Sequence, residues 1–302
     1  MNPYRKFISE FSRLLRDGKN IPMGNEPVPP RPNLPPNAPK ALIFSPHPDD
    51  EVIIGALPLR LLRDAGMNVV NVAVTQGSNQ ARQLERWKEL TACCHYIGFG
   101  LIATREGGLE GINLRDRVEK VSLWKASVAR IADILSAEKP RVIFLPHAAD
   151  WNSTHIGTHH LVVEALLKLG EDFSCYTVET EFWGAMDTPN LMIESSEQDI
   201  VDLITALSFH VGEVRRNPYH LRLAAWMMDN VRRGSELVGG QGAPAADFLF
   251  ATLYRLRQWH HCAFKSVLEK GSVISQSGDV TALFSDESQS GKRQGAQAGT
   301  IR

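Results

Sequence analysis

His47-Pro48-Asp49-Asp50-Glu51 directly follows Ala41-Leu42-Ile43-Phe44-Ser45 and precedes an apolar stretch with helical spacing from Val52 to Leu62. The upstream run has the length and composition of a buried strand. The five-residue cluster therefore occupies a strand-to-helix turn. In an open α/β sheet such a turn lies at the carboxyl edge of a strand, where ligands bind. Acids at a helix start also cap free N–H groups and suit the helix dipole. Capping accounts for one acid, not for a histidine with two adjacent aspartates.

Outward from this turn, strands alternate with helices. Asn68–Val74 reads as a second strand, with Thr75-Gln76-Gly77-Ser78-Asn79 at its end. Gln83–Ile97 reads as a helix stopped by Gly98, and Leu101–Ala103 as a short strand. Leu114–Ala137 is a long helical stretch, and Arg141–Leu145 is another buried strand closed by Pro146. Cys175–Glu179 reads as a strand. Gln198–Leu207, Tyr219–Arg233 and Phe248–Leu268 read as helices. This alternation predicts an α/β fold with a mainly parallel, doubly wound sheet flanked by helices. The turn after the first strand carries His47–Glu51 and no Gly-x-Gly-x-x-Gly, so a dinucleotide is not implied.

The flanks differ in composition. Residues 4–17 have amphipathic spacing, with Phe7, Phe11, Leu14 and Leu15 on one side. Eight prolines between Pro22 and Pro39 make an extended connector. The division expected is 1–39 as an N-terminal helix with a Pro-rich wrapping segment, 40–271 as the main domain, and 272–302 as a mobile tail poor in large apolar groups.

With 302 residues and 43% hydrophobic content, the chain can bury a sizeable core. A formal net charge of −1 argues against nucleic-acid or membrane-surface binding by bulk electrostatics. No stretch approaches the ~20 apolar residues of a membrane span. The N-terminal residues have no apolar signal core. The four cysteines form no Cys-x-x-Cys pair, which suits reduced thiols in a cytoplasmic protein.

A second dense stretch runs from His147 to His160 and holds four of the ten histidines. It follows the strand ending at Leu145. Parallel neighbouring strands would put both dense stretches at one sheet edge. A catalytic divalent metal takes three protein ligands and keeps a position for water. His47 and one aspartate can supply two, and a histidine of the second stretch the third. Nitrogen and oxygen ligands suit zinc, and Fe²⁺, Co²⁺ or Mn²⁺ fit the same donors. The other aspartate would then face the water as general base. The residues alone leave open which aspartate does which.

These two stretches resemble the LmbE/PIG-L family of zinc-dependent N-deacetylases, through His47-Pro48-Asp49-Asp50-Glu51 after an apolar strand and Asp150-x-x-x-x-His155 after Leu145-Pro146-His147. The resemblance covers Lys40–Trp183 well and the region to Trp259 more loosely. It implies a Rossmann-like fold and removal of an N-acetyl or related acyl group from an amino-sugar conjugate. It makes His47, Asp50 and His155 the zinc ligands, Asp49 the general base, and Glu51 a supporting or capping residue. Arg86-Trp87-Lys88-Glu89 matches a family Arg-x-x-Glu and makes Arg86 a candidate for substrate contact. Many members carry His-x-Asp-His where this chain has Asn152-Ser153-Thr154-His155. Asn152 can donate to an oxyanion but cannot shuttle a proton. The acid is then His147, His210 or Asp49 itself, with His210 in a loosely matching stretch. The other histidines carry structural or rim roles, and Asp150 is expected to orient a ligand histidine. The alternatives are a hydrolase of another amide or an ester, and a sugar-binding protein with a vestigial site. Specificity would lie in the loops 106–115, 182–191 and 234–248. Oligomeric state has no signal in the sequence.

Overall fold

A computed structural model describes residues 2–285. The chain runs through α1 (Tyr4–Gly18), β1 (Lys40–Ser45), α2 (Asp50–Ile53), α3 (Leu57–Arg63), β2 (Asn68–Ala73), α4 (Gln80–Ile97), β3 (Gly100–Ala103), α5 (Leu114–Glu119), α6 (Val121–Glu138), β4 (Val142–Pro146) and α7 (Ser153–Leu169). It continues through β5 (Cys175–Thr180), β6 (Leu191–Glu194), α8 (Glu197–Ser208), α9 (Val211–Arg216), α10 (Leu223–Leu237), β7 (Ala251–His260), β8 (Ala263–Ser266) and β9 (Ser272–Ile274).

Among the described residues nine strands join one sheet, in the order β3-β2-β1-β4-β5-β7-β6-β9, with β8 paired to β7. β3, β2, β1, β4 and β5 are mutually parallel. The chain moves from β1 outward to β2 and β3, then resumes at β4 on the other side of β1. This makes a topological switch point between β1 and β4. Alternate residues of β1 enter opposite cores. Ala41 and Ile43 join a cluster under α3, α4 and α8, whereas Leu42 and Phe44 join one under α6 and α7. The doubly wound α/β expectation holds.

The segment read as one helix from Val52 is two, α2 and α3, broken at Ile54-Gly55-Ala56. Gly55 has φ +91°, and a Cβ there would meet Thr252 Oγ1 at 2.0 Å. Tyr254 stitches the break: its hydroxyl donates to Ile54 O at 2.6 Å and accepts from Leu57 N at 3.3 Å.

Phe248–Leu268, expected as a helix, is instead the hairpin β7–β8, and β7 runs antiparallel to both β5 and β6. Both faces of β7 are covered, which hid its period of two. Tyr254 and Leu256 enter one core, while Leu253 and Trp259 enter the other two. Arg255 and Arg257 lie between them in sequence and pair with buried Glu179 at 3.6 and 2.5 Å.

α1 forms as expected, with Phe7 and Leu14 exposed. Met23 and Leu34 of the Pro-rich connector pack against the main core. The expectation of a mobile tail from 272 needs correction over its first part. β9 pairs in parallel with β6, and Phe284 is fully buried against the ring of Tyr176. The buried Arg60 guanidinium donates to the carbonyls of Ser275, Gln276 and Gly278 at 3.0, 3.1 and 2.6 Å. Backbone carbonyls, invisible in composition, add to the few apolar side chains that dock here. Residues 286–302 lie outside the described residues. Ending the chain at Gly271 should therefore lower the melting temperature. Burial of one Phe side chain is worth about 3–5 kcal/mol, which corresponds to roughly 10 °C in a domain of this size. An unchanged melting curve would show that 272–285 contributes nothing. Among the described residues no helix is long and apolar enough to cross a membrane.

Candidate active site

The turns after β1, β2, β4 and β5 meet at the carboxyl edge of the sheet. His47 Nδ1, Asp50 Oδ2 and His155 Nε2 lie 3.3 Å from one another in all three pairings. Asp50 and His155 are buried, and His47 is half-buried. Two imidazole nitrogens and a carboxylate oxygen forming a 3.3 Å triangle fit a single divalent cation. Ligand bonds of about 2.0–2.1 Å at tetrahedral angles give edges of roughly 3.3–3.4 Å. Among the described residues, Glu51, Cys93 and His210 form a second close group. Hydrogen bonds between Glu51 and His210, and from Asp49 N to Glu51, account for its geometry.

The backbone locks the first turn. Asp49 has φ 111°, an unusual conformation for a residue other than glycine. Its N–H donates to Glu51 Oε2 at 2.9 Å, and His47 N donates to Asp50 Oδ2 at 2.8 Å. Glu51 Oε1 in turn accepts from His210 Nε2 at 2.7 Å. The Asp49 side chain has a different partner. Its Oδ2 accepts a hydrogen bond from the Tyr219 hydroxyl at 2.5 Å.

The second turn is held by Asp150. Its Oδ1 accepts from Asn152 N at 2.8 Å and lies 3.5 Å from His155 Nδ1. Its Oδ2 accepts from Trp183 N and Gly184 N at 3.2 and 3.3 Å, tying the turn after β4 to the loop after β5. The ring of Phe182 meets His155 edge-on at 4.6 Å between centroids. Asp150 and Phe182 together fix the plane of the imidazole, the arrangement a ligand histidine needs.

Charge separates the neighbouring acids. Burial first, then the charge on Asp50, pushes the Asp49 carboxyl up to about 7, against the pull of His210, Arg86 and Tyr219. Burial would also raise Asp50, but His155 and then His47 reverse it and hold that carboxyl well below the usual range. Burial would lower His155, but Asp50 and then Asp150 push it up to about 10. Burial and the Asp49 charge push the Tyr219 phenol far above its ordinary value, so it remains the donor. One aspartate is thus a permanent carboxylate, and the other is a group able to exchange a proton near neutrality.

Arg86 reaches the site from α4 and donates from Nη2 to Pro48 O at 2.9 Å. It lines a cleft of about 350 Å³ together with His47, Asp49, Asp50 and Asn152. Asn152 caps α7, its Oδ1 accepting from Thr154 N at 2.8 Å, which leaves the Nδ2 amide as its donor. His210 is not brought to the cleft. It is fully buried, with Nε2 bonded to Glu51, so it reaches the site through that carboxylate and through its charge, which pulls the Asp49 carboxyl down. His147 is also buried, and its Nε2 bonds to Gly184 O at 2.8 Å. His159 bonds to Pro146 O at 2.9 Å beneath the turn. Sequence reasoning missed Tyr219, which lies 170 positions from Asp49 and sits in no recognisable motif. It also missed Arg82, Glu213 and Arg216 at the cleft.

A metal-type ligand set thus lies at the switch point of a doubly wound sheet, beside a carboxyl poised near neutrality. Residues 42–166 match the family model described as "PIG-L: GlcNAc-PI de-N-acetylase". That span holds His47, Asp49, Asp50, Arg86, Asn152 and His155. No curated protein matches the chain. Among solved structures it is similar to N,N'-diacetylchitobiose deacetylase from Pyrococcus horikoshii, at 17% identity over 83% of this chain and 92% of that one, TM-score 0.52. It is similar to a deacetylase of teicoplanin biosynthesis, at 16% identity over 76% and 100%, TM-score 0.54. It is also similar to GalB, the 4-carboxy-2-hydroxymuconate hydratase from Pseudomonas putida KT2440, at 18% identity over 78% and 100%, TM-score 0.53. At these identities the likeness is one of fold, and a fold shared with a hydratase does not choose the reaction.

Proposed function

We propose that the chain is a metal-dependent deacetylase that removes an N-acetyl or related acyl group from an amino-sugar derivative. The observation that carries this reading is the His47–Asp50–His155 triangle with Asp49 alongside, inside the matched domain. When bound to those three residues, a divalent cation, zinc first among them, supplies a Lewis acid and lowers the pKa of a water to about 7. Asp49 accepts the proton of the attacking water and passes it to the departing amine. Tyr219 holds the Asp49 carboxylate in place. The Asn152 amide donates to the acyl oxygen as negative charge develops there. Arg86 contacts the substrate from the α4 side. The bond broken is the amide C–N bond, and the products are a carboxylate and a free amine. Four free cysteines, three of them buried, suit a reducing cytoplasmic setting.

The test is release of acetate from a panel of N-acetylglucosamine conjugates, with the protein first stripped of metal and then given zinc, Fe²⁺, Co²⁺ or Mn²⁺. Acetate should appear only with metal. Hydration of an enol or alkene acid without amide cleavage would favour the chemistry of the hydratase neighbour. Binding of the sugars without turnover under every metal would reduce the site to a vestigial one.

A further inference from the structure

Arg82 and Arg86 stand one turn apart on α4 and share a face by their i,i+4 spacing. Arg216 comes from the end of α9. All three guanidiniums converge on one carboxylate at the cleft. Arg82 Nη2 lies 2.9 Å from Glu213 Oε1, Arg86 Nε lies 3.8 Å from the same oxygen, and Arg216 contacts Glu213 Oε2. One carboxylate cannot neutralise three permanent cations. The nearby Glu89 carboxylate accepts from Gly212 N and does not line the cleft. The acids on the cleft floor, Asp49 and Asp50, belong to the metal triangle and the base.

The arginines are also not spent as donors. Arg86 Nε is buried without a hydrogen-bond acceptor, although its side chain is only 12% exposed. Arg82 and Arg216 keep 32% and 69% of their side-chain surface open. The backbone is shaped around them. Gly77 sits at φ +81°, and a Cβ there would lie 2.2 Å from Arg86 Nη1, so a glycine leaves the room that the guanidinium occupies. The amino end of the 18-residue α4 opens at the same cleft wall through Asn79 and adds its partial positive charge. The adjoining groove is apolar, walled by Trp183, Tyr219 and Trp226.

We propose that Arg82, Arg86 and Arg216 form an oxyanion subsite, so that the substrate carries a phosphate or carboxylate group beside the N-acyl sugar. The inference rests on the deacetylase reading for its reaction but not for its binding. Guanidinium forks match the paired oxygens of either group. Each charged hydrogen bond made only by the anionic substrate contributes roughly ten-fold.

The experiment compares N-acetylglucosamine 1-phosphate, N-acetylglucosamine 6-phosphate, N-acetylmuramic acid and the neutral methyl N-acetylglucosaminide. It uses the metal-loaded wild type, Arg216→Gln, and the Arg82→Gln, Arg216→Gln double variant. The quantity read is the ratio of kcat/KM for each anionic probe to that for the neutral probe. In the wild type at least one ratio should exceed about ten. It should fall by about ten-fold or more in the double variant and in part in Arg216→Gln, whose side chain is mostly exposed. Preference for the phosphates or for the carboxylate tells which oxyanion is recognised. Wild-type ratios near one, or ratios unchanged by the substitutions, overturn the subsite. If no probe is hydrolysed, the deacetylase reading fails separately. Calorimetric binding of the same probes then decides: weaker binding of the anionic probes alone in the variants supports the subsite, and equal binding overturns it.

Discussion

Asp49→Asn should fold, keep its metal and lose turnover by roughly 10²–10⁴-fold, the range contributed by a general base. The substitution keeps side-chain size and removes only basicity. It also suits the backbone, because Asn is among the few residues that adopt positive φ readily, and Asp49 sits at φ 111°. Asn can still accept from the Tyr219 hydroxyl, so the local hydrogen bond persists. Asp49→Ala would instead combine lost chemistry with backbone strain and would be harder to read. In the wild type a base must be deprotonated to work, so kcat/KM should fall as pH drops. Burial and Asp50 place the Asp49 carboxyl near 7, and a cation on the neighbouring ligands pulls it lower. The acidic limb should therefore lie below about 7 and belong to Asp49 and the water as a coupled pair. It should shift or vanish in Asp49→Asn. Metal lost from Asp49→Asn but kept by Asp50→Asn would reverse the two assignments.

The positions most legible in the sequence are those where local pattern and chemistry coincide. β1, β2 and β4 are short apolar runs ending in polar turns, so strand, edge and site follow from one reading. The different surroundings of Asp49 and Asp50 were not legible from the residues themselves, and only the family resemblance assigned the two different roles. Those surroundings depend on a backbone twist at Asp49 and on a Tyr219 hydroxyl 170 positions away. Residues joined only through space leave no spacing to read. The same holds for Arg82 and Arg216, which look like ordinary solvated helix charges until Glu213 gathers them. β7 failed for a different reason. A strand covered on both faces loses its alternation, and with Arg255 and Arg257 set among large apolar residues it reads as an amphipathic helix. His210 shows the limit of motif matching. Its neighbourhood resembled a functional stretch, yet its ring is buried against Glu51, which holds the Asp49 N–H. It braces the turn through Glu51 and its charge acts on Asp49 from behind the cleft.

The largest loss should follow removal of a ligand. His155→Ala deletes the one donor that comes from the second strand end, leaving His47 and Asp50 on a single turn. The folded variant should hold far less than one metal per chain and release no acetate above background. Asp150→Asn makes the contrast that gives the result meaning. Asp150 touches no other corner of the triangle and lies 3.5 Å from His155 Nδ1, so its loss should weaken metal binding only about 10–100-fold. Saturating metal should then restore most activity to Asp150→Asn and none to His155→Ala. Acidity supplies a further check. Asp50 and Asp150 raise His155 to about 10, so a metal on Nε2 must displace a proton across the neutral range. Affinity should therefore fall as pH falls, by about ten-fold per unit for one proton released, until further ligands protonate. Asp150→Asn removes one of the two charges that raise His155 and should flatten this slope near the upper end of the range. Full metal stoichiometry in folded His155→Ala would show that the triangle is not the metal centre.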